Sequence, residues 1–248
     1  NEENPYKILL LSDIYTPSND SFGSNKALVN IDPSSGNPLY LTISNYGVEN
    51  ATINAKNTGR VMYIGENANV TLQNLILKGG YLNNDDNTEN EKGAGLYILN
   101  NDAIVKIENS EISENVIDNG YGAGLHVGYL ADESLNLTIE NSKISRNTIK
   151  HDSNGALSQA GAGIHIENVA VTLTITNSDI SENVIDQKNC SSDEFNDYGV
   201  GLCLGNKATT IISGTAIKNN KIENAASTNE NAGGGVYLKG GSLTIQNS

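Results

Sequence analysis

One short unit returns along the chain at a nearly fixed interval, and that constrains the fold more than any other feature. It opens on a pair of glycines: Gly93-Ala94-Gly95-Leu96, Gly122-Ala123-Gly124-Leu125, Gly161-Ala162-Gly163-Ile164, Gly199-Val200-Gly201-Leu202 and Gly233-Gly234-Gly235-Val236. A second unit is Ile107-Glu108-Asn109-Ser110, with Ile139-Glu140-Asn141-Ser142, Ile175-Thr176-Asn177-Ser178 and Ile245-Gln246-Asn247-Ser248. A third is Ile-x-x-Asn, from Ile112 to Asn115, Ile144 to Asn147, Ile180 to Asn183 and Ile217 to Asn220. Successive isoleucines of this third unit lie 32, 36 and 37 residues apart, and Leu77, 35 before Ile112, fits the same column.

Each period holds three short alternating runs, illustrated by Leu96-Tyr97-Ile98, Ala103 to Glu108 and Glu111 to Ile117. Period-two alternation of β-branched residues between glycine and asparagine reads as strand, and no window carries helical spacing with caps. The 38 Asn and 25 Gly, against 4 Pro, supply turn residues many times over. Disorder is excluded by the recurring β-branched triplets such as Leu173-Thr174-Ile175. The expected fold is all-β: a single-stranded parallel β-helix, or solenoid, with three strands per coil and about six coils. A coil cannot bury its inner face alone, so stacking supplies the stability. The handedness rule for parallel connections makes it right-handed.

The period varies because one corner takes insertions: Gly79 to Lys92, Asp118 to Tyr121, Lys150 to Ala160, Asp186 to Tyr198 and Glu223 to Ala232. All follow the third run, so long loops should line one edge. Residues 39–248 form the expected β-helix, and its repeat stops at Asn247-Ser248, where Ile-x-x-Asn should follow; the chain is expected to continue. Residues 12–38 hold three of the four prolines, Pro17, Pro33 and Pro38, and residues 1–38 read as a first strand, Lys7 to Leu11, with a covering segment.

Stacking turns the repeat into columns. Asn115, Asn147, Asn183 and Asn220 should line one turn, and Asn109, Asn141, Asn177 and Asn247 another, their amides bonding in ladders. Glu111, Lys143 and Asp179, and likewise Glu114, Arg146 and Glu182, alternate in sign, which engages Arg146 structurally and helps set register. The middle of the glycine-led strand gives Tyr63, Tyr97, His126, His165, Cys203 and Tyr237, a column expected to face outward. Three readings of it stand open: an exposed stack of flat side chains, two imidazoles and a thiolate sharing a zinc ion, or a strip on which a sugar or side chain stacks. Cys203 has a second candidate partner, Cys190 in the preceding loop, for one disulfide.

The net charge of −14, with 15 Lys and Arg, excludes a nucleic-acid binder and disfavours docking on an anionic membrane. No stretch approaches the ~20 apolar residues of a membrane span. The inserts are acidic, with Asp85, Asp86, Glu89 and Glu91 in one and Asp193, Glu194 and Asp197 in another. Such carboxylates read first as solvated loop charge. Asp85, Asp86 and Glu89 could hold calcium, but they lack a calcium-loop spacing, and no cofactor is expected.

The glycine-rich units, followed by Leu-Thr-Ile-x-Asn-Ser and Ile-x-x-Asn, resemble right-handed parallel β-helices of bacterial surface proteins, of the polymorphic outer-membrane and autotransporter-passenger type. The resemblance spans roughly residues 39–248, with Ile where that family favours Phe and Gly-Ala-Gly in place of Gly-Gly-Ala. It implies a non-catalytic, extracellular or cell-surface module, adhesin-like, presenting loops from a stalk to a protein or glycan on another surface. Tyr63, Tyr97, His126, His165, Tyr237, Asp85 and Asp86 are the candidate binding residues. A polysaccharide lyase or hydrolase of the pectin-lyase-like fold is the alternative, with Asp85 and Asp86 as its carboxylates, although the acidic, His and Arg-x-Lys motifs of polygalacturonase-like enzymes are missing. A structural subunit joined to further β-helix coils of one assembly is the third reading.

Overall fold

A computed structural model describes residues 5–11, 13–15, 25–33, 38–47, 49–83, 92–99, 103–128, 134–151, 161–188, 198–224 and 233–248. Among these residues every strand pairing is parallel and there is no helix. The strands stack into four sheets of a β-solenoid, as the turn beginning at Leu125 illustrates. Leu125–Gly128 lies in sheet 1, Ser134–Glu140 in sheet 2, Lys143–Ser145 in sheet 3 and Thr148–Lys150 in sheet 4. The sheets hold seven, eight, seven and five strands among the described residues, so five consecutive turns contribute to all four. Each residue sits over its counterpart one turn on: Ile112 over Ile144, Ile144 over Ile180, Ile180 over Ile217.

The expected three strands per coil become four because the third run divides. Glu114 takes a φ of +57°, Arg146 +55° and Glu182 +58°, a left-handed conformation that bends the chain between Glu111–Ser113 and Val116–Asp118. The residue after the bend is the ladder asparagine. Asn115, Asn147 and Asn183 are fully buried. Asn115 Nδ2 donates to Asn147 Oδ1 at 3.0 Å, Asn147 Nδ2 to Asn183 Oδ1 at 3.0 Å, and Asn183 Nδ2 to Asn220 Oδ1 at 2.9 Å. The same Oδ1 atoms accept the backbone N–H of the asparagine one turn before, at 3.1–3.2 Å. The second amide proton reaches a backbone carbonyl, as Asn147 does to Ile112 O at 3.0 Å. Each internal rung thereby uses two donors and two lone pairs, so a polar column lies inside the protein without orphaned groups.

The ladder explains the glycine unit. A Cβ on Gly124 would stand 2.6 Å from Gly163 O and 2.7 Å from Asn147 Nδ2, and the preceding Gly122 has a φ of +60°. Between them Ala123 packs with Ala94, Ala162, Val200 and the sheet-4 residues Leu82, Ile117, Ile149 and Ile185 in a small apolar strip. The main core, among sheets 1, 2 and 3, is a separate cluster of stacked Leu, Ile and Val.

The second asparagine column departs from expectation. Asn109, Asn141 and Asn177 are exposed, with φ of +48°, +49° and +50°, and serve as left-handed corner residues. The hydrogen-bonded column at that corner is the residue after each. Ser110 N–H donates to Ser142 Oγ and Ser142 N–H to Ser178 Oγ, both at 3.1 Å, while each hydroxyl donates to the carbonyl two residues back. A hydroxyl is short enough to do both locally, which leaves the asparagine to the conformation that tolerates it best.

Two further expectations concern the start and the charged columns. Tyr6–Leu10, Ile14–Tyr15 and Ala27–Ile31 pair with the strands that follow in sheets 2, 3 and 1, so the described part of residues 1–38 extends the solenoid instead of only covering it. Arg146 is engaged as the alternating signs require, 2.9 Å from Glu111 and 3.2 Å from Glu114, and Lys218 lies 2.6 Å from Asp179.

Asn147→Ala is expected to destabilise by about 3–5 kcal/mol, because it leaves several buried partners unsatisfied at ~1–3 kcal/mol each. Asn147→Gly should cost at least as much. Asn141→Ala should cost about 1–2 kcal/mol for its left-handed backbone, and Asn141→Gly close to nothing. Urea midpoints of the four variants check this ordering; equal losses at the two positions would refute the assignment of roles.

Candidate functional site

Sheet 1 alternates strictly. Leu125 and Val127 point into the main core, so His126 between them points out. Register places Tyr97, His126, His165, Cys203 and Tyr237 one above another, with Tyr63 beneath Tyr97. The expected exposed stack is not what results. His126 is completely buried, Tyr63, His165 and Cys203 are buried, and Tyr97 and Tyr237 are half-buried. The covering groups come from the two corners beside the sheet. Lys92 and Tyr121, each directly before a glycine unit, fold over from the insert side, and Glu167 follows Ile166 on the other. Lys92 Nζ meets Glu167 Oε1 at 2.6 Å, and His126 Nε2 faces the same oxygen at 3.4 Å.

The rings form a continuous strip. Tyr63 and Tyr97 meet edge to face with centroids 5.5 Å apart, Tyr97 and His126 at 5.2 Å, His126 and His165 stack at 5.0 Å, and Tyr121 stacks on His165 at 5.1 Å. Tyr198, also directly before a glycine unit, stacks on Tyr237 at 4.6 Å. Arg60 anchors the lower end. It is buried, its guanidinium lies 5.0 Å from the Tyr97 centroid, Nη2 donates to Lys92 O at 2.7 Å and Nε to Gly93 O at 3.0 Å, and Nη1 donates to Asn25 O. Burial pulls its pKa down to about 10, against the raising influence of Tyr97 and Tyr63, so it stays cationic at neutral pH. Burial, with Asp32 and Tyr97 nearby, pushes the Tyr63 phenol up to about 12.

His126 Nδ1 and His165 Nδ1 lie 3.2 Å apart. Two neutral imidazoles in such contact need one donor and one acceptor. The Glu167 carboxylate favours the proton on His126 Nε2, so we assign His126 Nδ1 as acceptor and His165 Nδ1–H as donor. Burial holds His126 below the usual histidine range, outweighing the opposite pull of Glu167. For Glu167 burial acts to raise the pKa, but His126 and Lys92 outweigh it and hold the carboxyl down at about 2. Among the described residues no group of three His, Cys, Asp or Glu side chains is arranged to hold a metal ion.

Beside this strip runs a groove of about 660 Å³, with Tyr121, His165 and Cys203 on its floor and Glu167, Lys207 and Lys239 along one rim. Each of the five inserts runs into the next sheet-1 strand, the first of them containing its own sheet-4 strand, Tyr81–Leu82, so they leave from the opposite side of sheet 1. Of the candidate binding residues, Tyr63, Tyr97, His126, His165 and Tyr237 share the outward column of sheet 1, and His165 among them lines the groove. Asp85, Asp86 and Glu89, and the disulfide candidate Cys190, lie outside the described residues; Cys203 is buried in sheet 1. Sequence reasoning missed Lys92, Tyr121, Tyr198 and Glu167. Lys92, Tyr121 and Tyr198 had a signal, their shared place before a glycine unit. Glu167, 75 residues from Lys92, had none.

No family model, curated protein or solved structure matches this chain.

The folded state favours neutral His126 and ionised Glu167, so it binds fewer protons than the unfolded chain, and acid destabilises it. Stability should fall as pH drops below about 6.5 through His126, and again from about 4.5 towards about 2 through Glu167. Thermal midpoints against pH check this. His126→Gln should flatten the profile between roughly pH 7 and 5, and Glu167→Gln below it; unchanged slopes in both would refute the assignment.

Proposed function

We propose that the protein is a non-catalytic binding module of an extracellular or cell-surface protein, an adhesin-like β-solenoid that presents a groove and a loop edge to a protein or glycan on another surface. The observation that carries this reading is the groove on the outer face of sheet 1, floored in part by the Tyr121 and His165 rings, with the inserts joining the stack across the sheet from its lysine rim. A stack of near-identical turns is stiff along its axis and tolerates length changes only at corners, which suits a stalk bearing variable loops. The groove's single carboxylate, among the described residues, is Glu167. Lys92 and His126 keep it ionised, which makes it a poor proton donor near neutral pH and disfavours a glycosidase acid. Neither arginine is placed to act as the base of a β-eliminating lyase: Arg60 is buried on backbone carbonyls and Arg146 lies between two glutamates.

The reading is tested by offering the protein a broad panel of polysaccharides, with and without calcium, and following both retention and product release. Retention of one class with no new reducing ends and no unsaturated products is expected. Release of either product from any polysaccharide would overturn the non-catalytic assignment.

A further inference from the structure

The groove departs in charge from the chain that carries it. The protein has 29 Asp and Glu against 15 Lys and Arg, yet three lysines line this groove with one glutamate. Lys92 and Glu167 satisfy each other at 2.6 Å. That leaves Lys207 and Lys239, which are exposed and have no ion pair among the described residues. They stand on successive turns of the corner after sheet 1, just past Leu204 and Leu238. Several basic side chains elsewhere are offset: Arg146 by Glu111 and Glu114, Lys218 by Asp179, Lys221 by Glu223, Lys106 by Glu108 and Glu140. An uncompensated cationic pair in the same groove as the half-buried Tyr121 ring is the chemistry that receives acidic groups attached to a ring-bearing body. The chain's net charge of −14 repels long polyanions, whereas screening over about 8–10 Å lets a ligand of a few rings feel the local lysines alone.

Resting on the binding-module reading, we propose that this groove is a site for a short acidic saccharide, its carboxylate or sulfate groups held by Lys207 and Lys239 and its sugar rings lying against Tyr121. Binding weakens with added salt, since the contacts are charged and exposed. The anionic group can be either chemistry, so the probes separate them: galacturonate oligosaccharides for the carboxylate, heparin-derived oligosaccharides for the sulfate, and neutral galactose oligosaccharides as reference.

Titration calorimetry of the whole chain with each probe is the test. At least one acidic probe should bind, the neutral reference should not, and the Lys207→Gln, Lys239→Gln double variant should lose tenfold or more in affinity at an unchanged thermal midpoint. Lys207→Glu with Lys239→Glu should abolish binding, and Lys106→Gln, on sheet 2, should leave it intact. Equal binding of acidic and neutral probes, or affinity untouched by the double variant, would overturn the site. If no acidic probe binds while the panel above still retains a neutral glycan, this inference fails and the binding-module reading survives. If any probe is cleaved, the binding-module reading itself fails.

Discussion

The asparagine ladder is the interaction on which the rest of this structure depends. An amide side chain buried beside two apolar clusters is tolerable only when its donors and acceptor are all used. From Asn115 to Asn220 the internal rungs achieve that by bonding to their own counterparts one turn away, which works only while the turns are stacked in register. Slip by one residue would turn isoleucines outward and strand the amides at once. The ladder also dictates its surroundings. It excludes a Cβ at Gly95, Gly124, Gly163 and Gly201, and it follows a left-handed residue such as Glu114 that turns the chain.

With that seam fixed, the outward face of sheet 1 becomes a place where chemistry can collect. Residues in consecutive turns are neighbours whatever their separation in sequence, so a histidine can sit on a histidine 39 residues later. The ion pair of Lys92 with Glu167 then closes over the column from both corners. The result is a polar layer outside the core: rings in edge and stacked contact, one imidazole pair, one ionised carboxylate and a buried guanidinium bonded to carbonyls. On the proposed reading, such a pre-formed layer suits recognition, since little has to be ordered when a ligand arrives.

Much of the fold was legible because the repeat is an explicit code. Gly-x-Gly, the alternating Ile-x-Ile runs and Ile-x-x-Asn each name a corner or a strand, and the strand register follows them residue for residue in the turns from Leu96 onward. The fourth strand was not legible, since Glu111 to Ile117 alternates as one run and only the left-handed φ at Glu114 divides it. The serine column escaped notice for a similar reason. Asn109 and Ser110 recur together, and composition alone does not tell which takes the corner conformation and which the hydrogen bond.

What the sequence by itself determined is therefore the periodic frame: parallel strands, stacking, the Asn115 ladder and the outward column on sheet 1, because local alternation and fixed spacing have few physical solutions. Tertiary structure alone decided what lies on that column. Burial of His126, the contact of Lys92 with Glu167 and the pairing of His126 Nδ1 with His165 Nδ1 depend on how corner residues fold across a sheet. That is a matter of long-range packing and of the low dielectric it creates, for which no spacing in the chain is a signal.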